Sequence, residues 1–189
     1  MLNRPVVSAT FFAFSILLFF TLIPAGAGAQ TSDEVVLRDA VLFLDIYGQM
    51  TDTVYVTGTS TFQWGERYFN GMTDVIDTEL IASNLHGEIA GFCISFNQHP
   101  TLPSPGKIEF PGPGGDFPAE SFFDVYFEVV IPDMLPGDTL HTVVPLHIIG
   151  MTDGVPPYFS PHGMFSGPVI LYDQFGAPRG EIASWEEEM

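Results

Sequence analysis

Ser121-Phe-Phe-Asp-Val-Tyr-Phe-Glu-Val-Val-Ile131 (SFFDVYFEVVI) decides the fold class. Phe123, Val125, Phe127, Val129 and Ile131 fall on one side of an extended chain, and Phe122, Asp124, Tyr126 and Glu128 on the other. A period of two over so long a run specifies a β-strand with one buried face. The same period recurs on both sides of it. Ala40–Ile46, Thr51–Phe62, Asp74–Leu85, Glu88–Phe96, Thr139–Ile149 and the pair Val169–Tyr172 with Gly180–Ala183 all read as strands. A helix capped at Ser32-Asp33-Glu34 is the one helical alternative, since those residues favour an N-cap. About eight short strands separated by turn residues predict an all-β fold, a single antiparallel β-sandwich.

His99–Ala119 interrupts the pattern with six Pro and four Gly in 21 residues. Only Lys107–Phe110 within it reads as a strand, and the rest as a Pro/Gly-rich loop crossing between two sheets. Pro145 within Thr139–Ile149 puts that strand at an edge or a bulge, because proline has no N–H to give to a ladder.

Ahead of the β region, Met1–Arg4 carries one positive side chain. The uncharged apolar run Ser8–Ile23 and the small residues Ala27 and Ala29 follow. This order is that of a secretory signal peptide, residues 1–29, with cleavage after Ala29. The run of 16 residues is shorter than the roughly 20 a spanning helix needs, so no membrane insertion is expected after cleavage. Residues 30–189 then form the sandwich domain of a secreted, extracellular or periplasmic protein.

The chain has 23 acidic and 5 basic side chains, a formal net charge of −18. Phosphate recognition needs a Lys/Arg surface that such a chain cannot assemble, which excludes nucleic acid as a partner. One cysteine excludes an intramolecular disulfide framework and a multi-Cys zinc site. Cys93 alternates away from Phe92, Ile94 and Phe96, so it lies outside the main core. It reads as a thiol covered by the returning Pro/Gly segment and therefore inert.

No motif for catalysis, cofactor or metal stands out, and none is assigned. His141 and His147 share a face of the expected strand but lie about 20 Å apart, too far to hold one ion. His86 and Glu88 form only a two-ligand pair. Asp74, Asp77 and Glu79, like Asp133 and Asp138, lack the spacing of a helix–loop–helix calcium site. No Gly-x-Ser-x-Gly elbow occurs. Asp124 and Glu128 are roughly 13 Å apart on a strand, beyond a glycosidase pair. The candidate ligand surface is the outward face Phe122, Asp124, Tyr126 and Glu128, where rings stand beside carboxylates.

Gly115–Val129, Val155-Pro-Pro157 and Leu171-Tyr-Asp173 resemble secreted bacterial β-rich proteins of unknown function. That resemblance implies export and a β fold and brings no functional residue. The expectation is an exported, non-catalytic sandwich with a structural or ligand-binding role in the cell envelope or outside the cell, acting on an unknown ligand or protein partner. A carbohydrate-binding or calcium-dependent adhesion module is the alternative, and a hydrolytic enzyme the third.

Overall fold

The computed structural model describes residues 31–132, 139–155, 164–165 and 167–188. The expected signal peptide, residues 1–29, lies outside them, as do Asp133 and Asp138. Thirteen strands follow one another: β1 (Thr31–Ile46), β2 (Met50–Trp64), β3 (Tyr68–Phe69), β4 (Asp74–Ile89), β5 (Phe92–Gln98), β6 (Ser104–Glu109) and β7 (Ala119–Val125). Then come β8 (Phe127–Val130), β9 (Thr139–Thr142), β10 (Leu146–Thr152), β11 (Met164–Phe165), β12 (Val169–Tyr172) and β13 (Pro178–Glu188). There is no helix among the described residues, which excludes the helical alternative after Ser32.

The strands close into a barrel, which corrects the sandwich. Running β4–β2–β1–β13–β12–β9–β8–β5, the sheet returns to β4 through the pairs Asn84↔Asn97 to Ile89↔Phe92. Eight antiparallel strands form that ring, and each has a neighbour on both sides. Closure removes the unpaired edges that two stacked sheets would keep. The extra strands extend the ring lengthwise. β6 pairs with the first half of β4 while β5 pairs with the second half. β7 and β10 likewise prolong β8 and β9.

Several expected strands are therefore broken. Glu88–Phe96 is two strands, because Ala90 (φ 48°) and Gly91 (φ 83°) make a two-residue hairpin turn. Thr139–Ile149 breaks at 143–145, where Pro145 sits, and Ser121–Ile131 breaks at Tyr126. The Pro/Gly loop is shorter than expected, since β6 starts at Ser104 and takes in Pro105 and Gly106. The remainder, led by Phe110, folds over one end of the barrel. Arg67 stacks on the Phe110 ring at 3.7 Å and donates to Asp74 Oδ2 and the Gly115 carbonyl.

The lumen is filled by the inward face of each strand. Ala40, Leu42, Leu44 and Ile46 of β1 meet Phe96 of β5, Phe123 and Val125 of β7, Phe127 of β8 and Trp185 of β13. Phe127 stacks on Trp185 at 5.3 Å between centroids, and Phe96 meets both rings edge-on. An eight-stranded barrel is just wide enough for side chains to fill or for one small ligand.

Candidate functional site in and through the barrel wall

The expected surface has the expected orientation. Phe123, Val125, Phe127, Val129 and Ile131 are all at most 2% exposed, while Phe122, Asp124, Tyr126 and Glu128 are half-buried on the outer wall. The outer four do not act as one group. Asp124 lies opposite His147, and its carboxylate meets His147 Nδ1 at 2.6 Å, with the Phe122 ring 5.6 Å from the imidazole. Glu128 lies opposite His141, whose ring is 6.0 Å from that of His99. Tyr126 sits between the two pairs, its N–H donated to Ser104 Oγ at 2.9 Å and its carbonyl accepting from the His99 N–H. Among the described residues no three His, Cys, Asp or Glu side chains are placed to hold a metal ion.

Cys93 points away from the core as expected, but it is exposed. The returning segment pairs with β4 at Val75–Leu80, too far along the barrel to cover the Glu88–Cys93 pair.

Sequence reasoning missed the residues inside the lumen. Ser60 of β2, Ser83 of β4 and Trp185 of β13 are 3%, 7% and 4% exposed, amid Ala40, Leu85, Val125 and Ile148. Ser60 donates to Ser83 Oγ at 3.2 Å, while the indole N–H of Trp185 has no partner among the described residues. The three line a small internal cavity of about 10 Å³, room for one water-sized sphere. Ser60 follows the regular alternation of β2, and two β-bulges turn Ser83 and Trp185 inward beside it. Thr61 pairs with Ala82 and Phe62 with Leu80, so Ile81 is an extra residue and the inward set of β4 passes from Leu80 to Ser83. Phe43 pairs with Ser184 and Leu44 with Ile182, so Ala183 is extra and Trp185, opposite Leu42, turns inward. A bulge re-aims every side chain beyond it. The available signal was a tryptophan within an acidic tail, a large apolar group with no other reason to be there.

Outside the wall at the same level, the five residues 99–103 loop out between β5 and β6. They form one side of a cleft of about 270 Å³, the other side being Glu79, Leu80 and Ile81. Within the loop, His99 Nδ1 accepts from the backbone N–H groups of Thr101 (3.2 Å) and Leu102 (3.1 Å). Those bonds fix the tautomer with the proton on Nε2. Burial holds the His99 pKa below the usual histidine value of 6.5. Glu128 pulls it up and His141 adds to the lowering.

These features define a closed, up-and-down β-barrel with a polar point in an apolar lumen. A solved structure with the same fold is that of DynF from the dynemicin biosynthesis pathway of Micromonospora chersina. It matches with a TM-score of 0.70 at 17% identity, over 98% of this chain and 90% of that one. No protein-family model and no curated protein matches the chain. Barrel closure and this likeness overturn the expectation of a non-catalytic sandwich with an envelope role, together with the expectation that the chain is no enzyme.

Proposed function

We propose that this is an enzyme-like barrel of small-molecule metabolism that takes a small, neutral, largely apolar molecule bearing a carbonyl-type acceptor into its lumen. The observation that carries the reading is the unpartnered Trp185 indole N–H beside Ser60 and Ser83. A buried donor without an acceptor costs about 1–3 kcal/mol, which a guest acceptor recovers. The indole N–H only donates, and the Ser60–Ser83 hydrogen bond leaves a second hydroxyl proton to give, so the guest atom is an acceptor. The cavity as it stands holds one water-sized sphere, so a larger guest enters only as apolar side chains on its wall, Leu80 and Phe127 among them, give way. Likeness to a protein from a biosynthetic pathway supports a role in small-molecule metabolism.

Donors held in a dry, apolar site stabilise negative charge developing on a bound oxygen, because they need no reorganisation as the reaction proceeds. The chemistry such a site favours passes through an enolate or another oxyanion. Acetophenone is a suitable probe, with α-methylstyrene as the same shape without the oxygen. Calorimetry should show acetophenone binding at least about tenfold more tightly, the equivalent of one recovered donor. Trp185→Phe should erase that preference while leaving the melting temperature unchanged or raised. Equal affinity for the two probes, or no binding of acetophenone, overturns the reading.

A further inference from the structure

We infer that His99 is a proton-operated latch: its neutral ring holds residues 99–103 folded beside the barrel wall, and protonation of that ring releases them and widens the cleft against β4. The latch stands apart from the lumen reading, because it needs no ligand. Residues 100–103 read Pro-Thr-Leu-Pro, and proline has no N–H to donate. The segment therefore has only two backbone donors, those of Thr101 and Leu102. Both are given to His99 Nδ1, at 3.2 and 3.1 Å. The Thr101 hydroxyl lies 3.4 Å from the same nitrogen. One lone pair gathers every N–H that these four residues have.

An imidazolium has no lone pair, and its Nδ1–H would face both of those N–H groups. Turning the ring over brings no relief, since both nitrogens of the charged form carry protons. Protonation and the closed loop therefore exclude each other. After release, Gln98 Nε2 still donates to the Leu102 carbonyl (3.2 Å), and the His99 N–H to the Tyr126 carbonyl (2.9 Å). The second bond anchors the root of the loop and leaves its tip free. No hydrogen bond joins residues 100–103 to β4 among the described residues. Residues 81–83 of β4 have no ladder partner on that side either, so the loop moves without breaking ladder pairs.

The surroundings of the ring set the direction of the switch. Glu128 of β8 favours the charged ring, while His141 of β9, with its ring 6.0 Å away, disfavours it. Glu79 of β4 lies across the cleft, and Tyr126 holds the root of the loop through its carbonyl. Burial outweighs Glu128 and keeps the closed ring's pKa below 6.5. Outside the loop the ring regains its ordinary basicity, so the released form takes up the proton first. The closed form is fully favoured above 6.5 and gives way as pH falls below that value. A single proton shifts the balance by at most about tenfold per pH unit. Glu128 then offers the released imidazolium a neighbour of opposite charge.

The test is NMR on the isotopically labelled full chain, following the His99 ring together with amide hydrogen exchange at Thr101 and Leu102. Phe96, paired with Leu85 in the β4–β5 ladder, serves as the reference. Dividing each rate by that of an unfolded chain at the same pH removes the intrinsic dependence of exchange. Protection at Thr101 and Leu102 should be constant above 6.5 and should fall below it by up to about tenfold per pH unit, with Phe96 unchanged. In His99→Asn, whose side-chain oxygen replaces Nδ1 as acceptor and does not titrate, the protection should not vary with pH. Loop amides that stay protected while the His99 ring titrates overturn the latch, and so does the same fall in His99→Asn. A parallel loss at Phe96 would show the whole barrel opening, which overturns it as well.

Discussion

From β13 through β1 to β2 the barrel wall is made of strands 11, 16 and 15 residues long, whereas from β5 to β12 no strand exceeds 7. The smooth side departs from a regular ladder only by bulges, at Val35–Arg38 and at Ala183. The broken side is interrupted at residues 99–103, at Tyr126 and at 143–145, and these breaks adjoin one another around the ring. A buried N–H at each break still needs an acceptor. On the broken side fully buried hydroxyls provide it. Ser104 Oγ accepts from the Tyr126 N–H and Thr142 Oγ1 from the Phe127 N–H, at 2.9 and 3.0 Å. The smooth side holds the barrel closed through backbone pairing. The broken side replaces that pairing with side chains, and so can carry a cleft and a loop without unravelling.

The largest effect should come from the packing that both sides share. Phe127→Ala should destabilise by about 3–5 kcal/mol in denaturant unfolding, since it empties the space against Phe96 and Trp185. Tyr55→Ala, on the outer surface of β2 and 68% exposed, should stay within about 0.5 kcal/mol. Comparable losses for the two would mean that the lumen is not the core.

The contrast between the sides is sharpened by removing one hydroxyl from each. Thr142→Val strands the buried Phe127 N–H and should cost about 1–3 kcal/mol. Thr53→Val, exposed on β2, should cost less than about 0.5 kcal/mol. If Thr142→Val unfolds no more easily than Thr53→Val, side chains do not stand in for the ladder.

Acid should act on the two sides in separate windows. Asp173 caps the turn before β13, accepting from the N–H groups of Ala177 and Phe175 and from Arg179, which hold its carboxyl below the usual aspartate value of 3.8. A depressed carboxyl stabilises fully above its unfolded pKa, and the gain is lost as pH falls through the lower folded value. Asp173→Asn should remove that strongly acidic loss from the melting curve. His99, depressed by burial, behaves as a base that the unfolded chain protonates first. Its contribution is complete above 6.5 and declines as pH falls below it. Glu128 and His141 face it from the neighbouring strands, and Glu79 lies across the cleft. His99→Asn, which keeps an acceptor but does not titrate, should flatten the mildly acidic part of the profile. A profile that the His99→Asn substitution leaves unchanged would detach His99 from the stability of its loop.

The smallest change concerns the thiol. Cys93 should label rapidly in the native protein without denaturant, since it lies exposed on the outer face of the barrel. Labelling only after unfolding would show that another segment covers it.

Alternation alone was enough to assign inward and outward faces to Ser121–Ile131. That reading is local, because a strand's two faces follow from its own residues. The hairpin joining β12 and β13 was legible for the same reason, as a short turn between two apolar runs. Closure was not legible, because a meander of eight strands has the same pattern whether its first and last strands pair or lie in separate sheets. The pairs Leu42↔Trp185 and Ile46↔Gly180 settle it across more than 130 positions of chain. The candidate site was hidden by a single residue on each of two strands. Counting in twos from Ile182 places Ser184 inside and Trp185 outside, and counting from Leu80 places Ala82 inside and Ser83 outside. The bulges at Ala183 and Ile81 reverse both. They arise where neighbouring strands of a closed ring must stay in register around a curve, which is a property of the barrel and not of either segment.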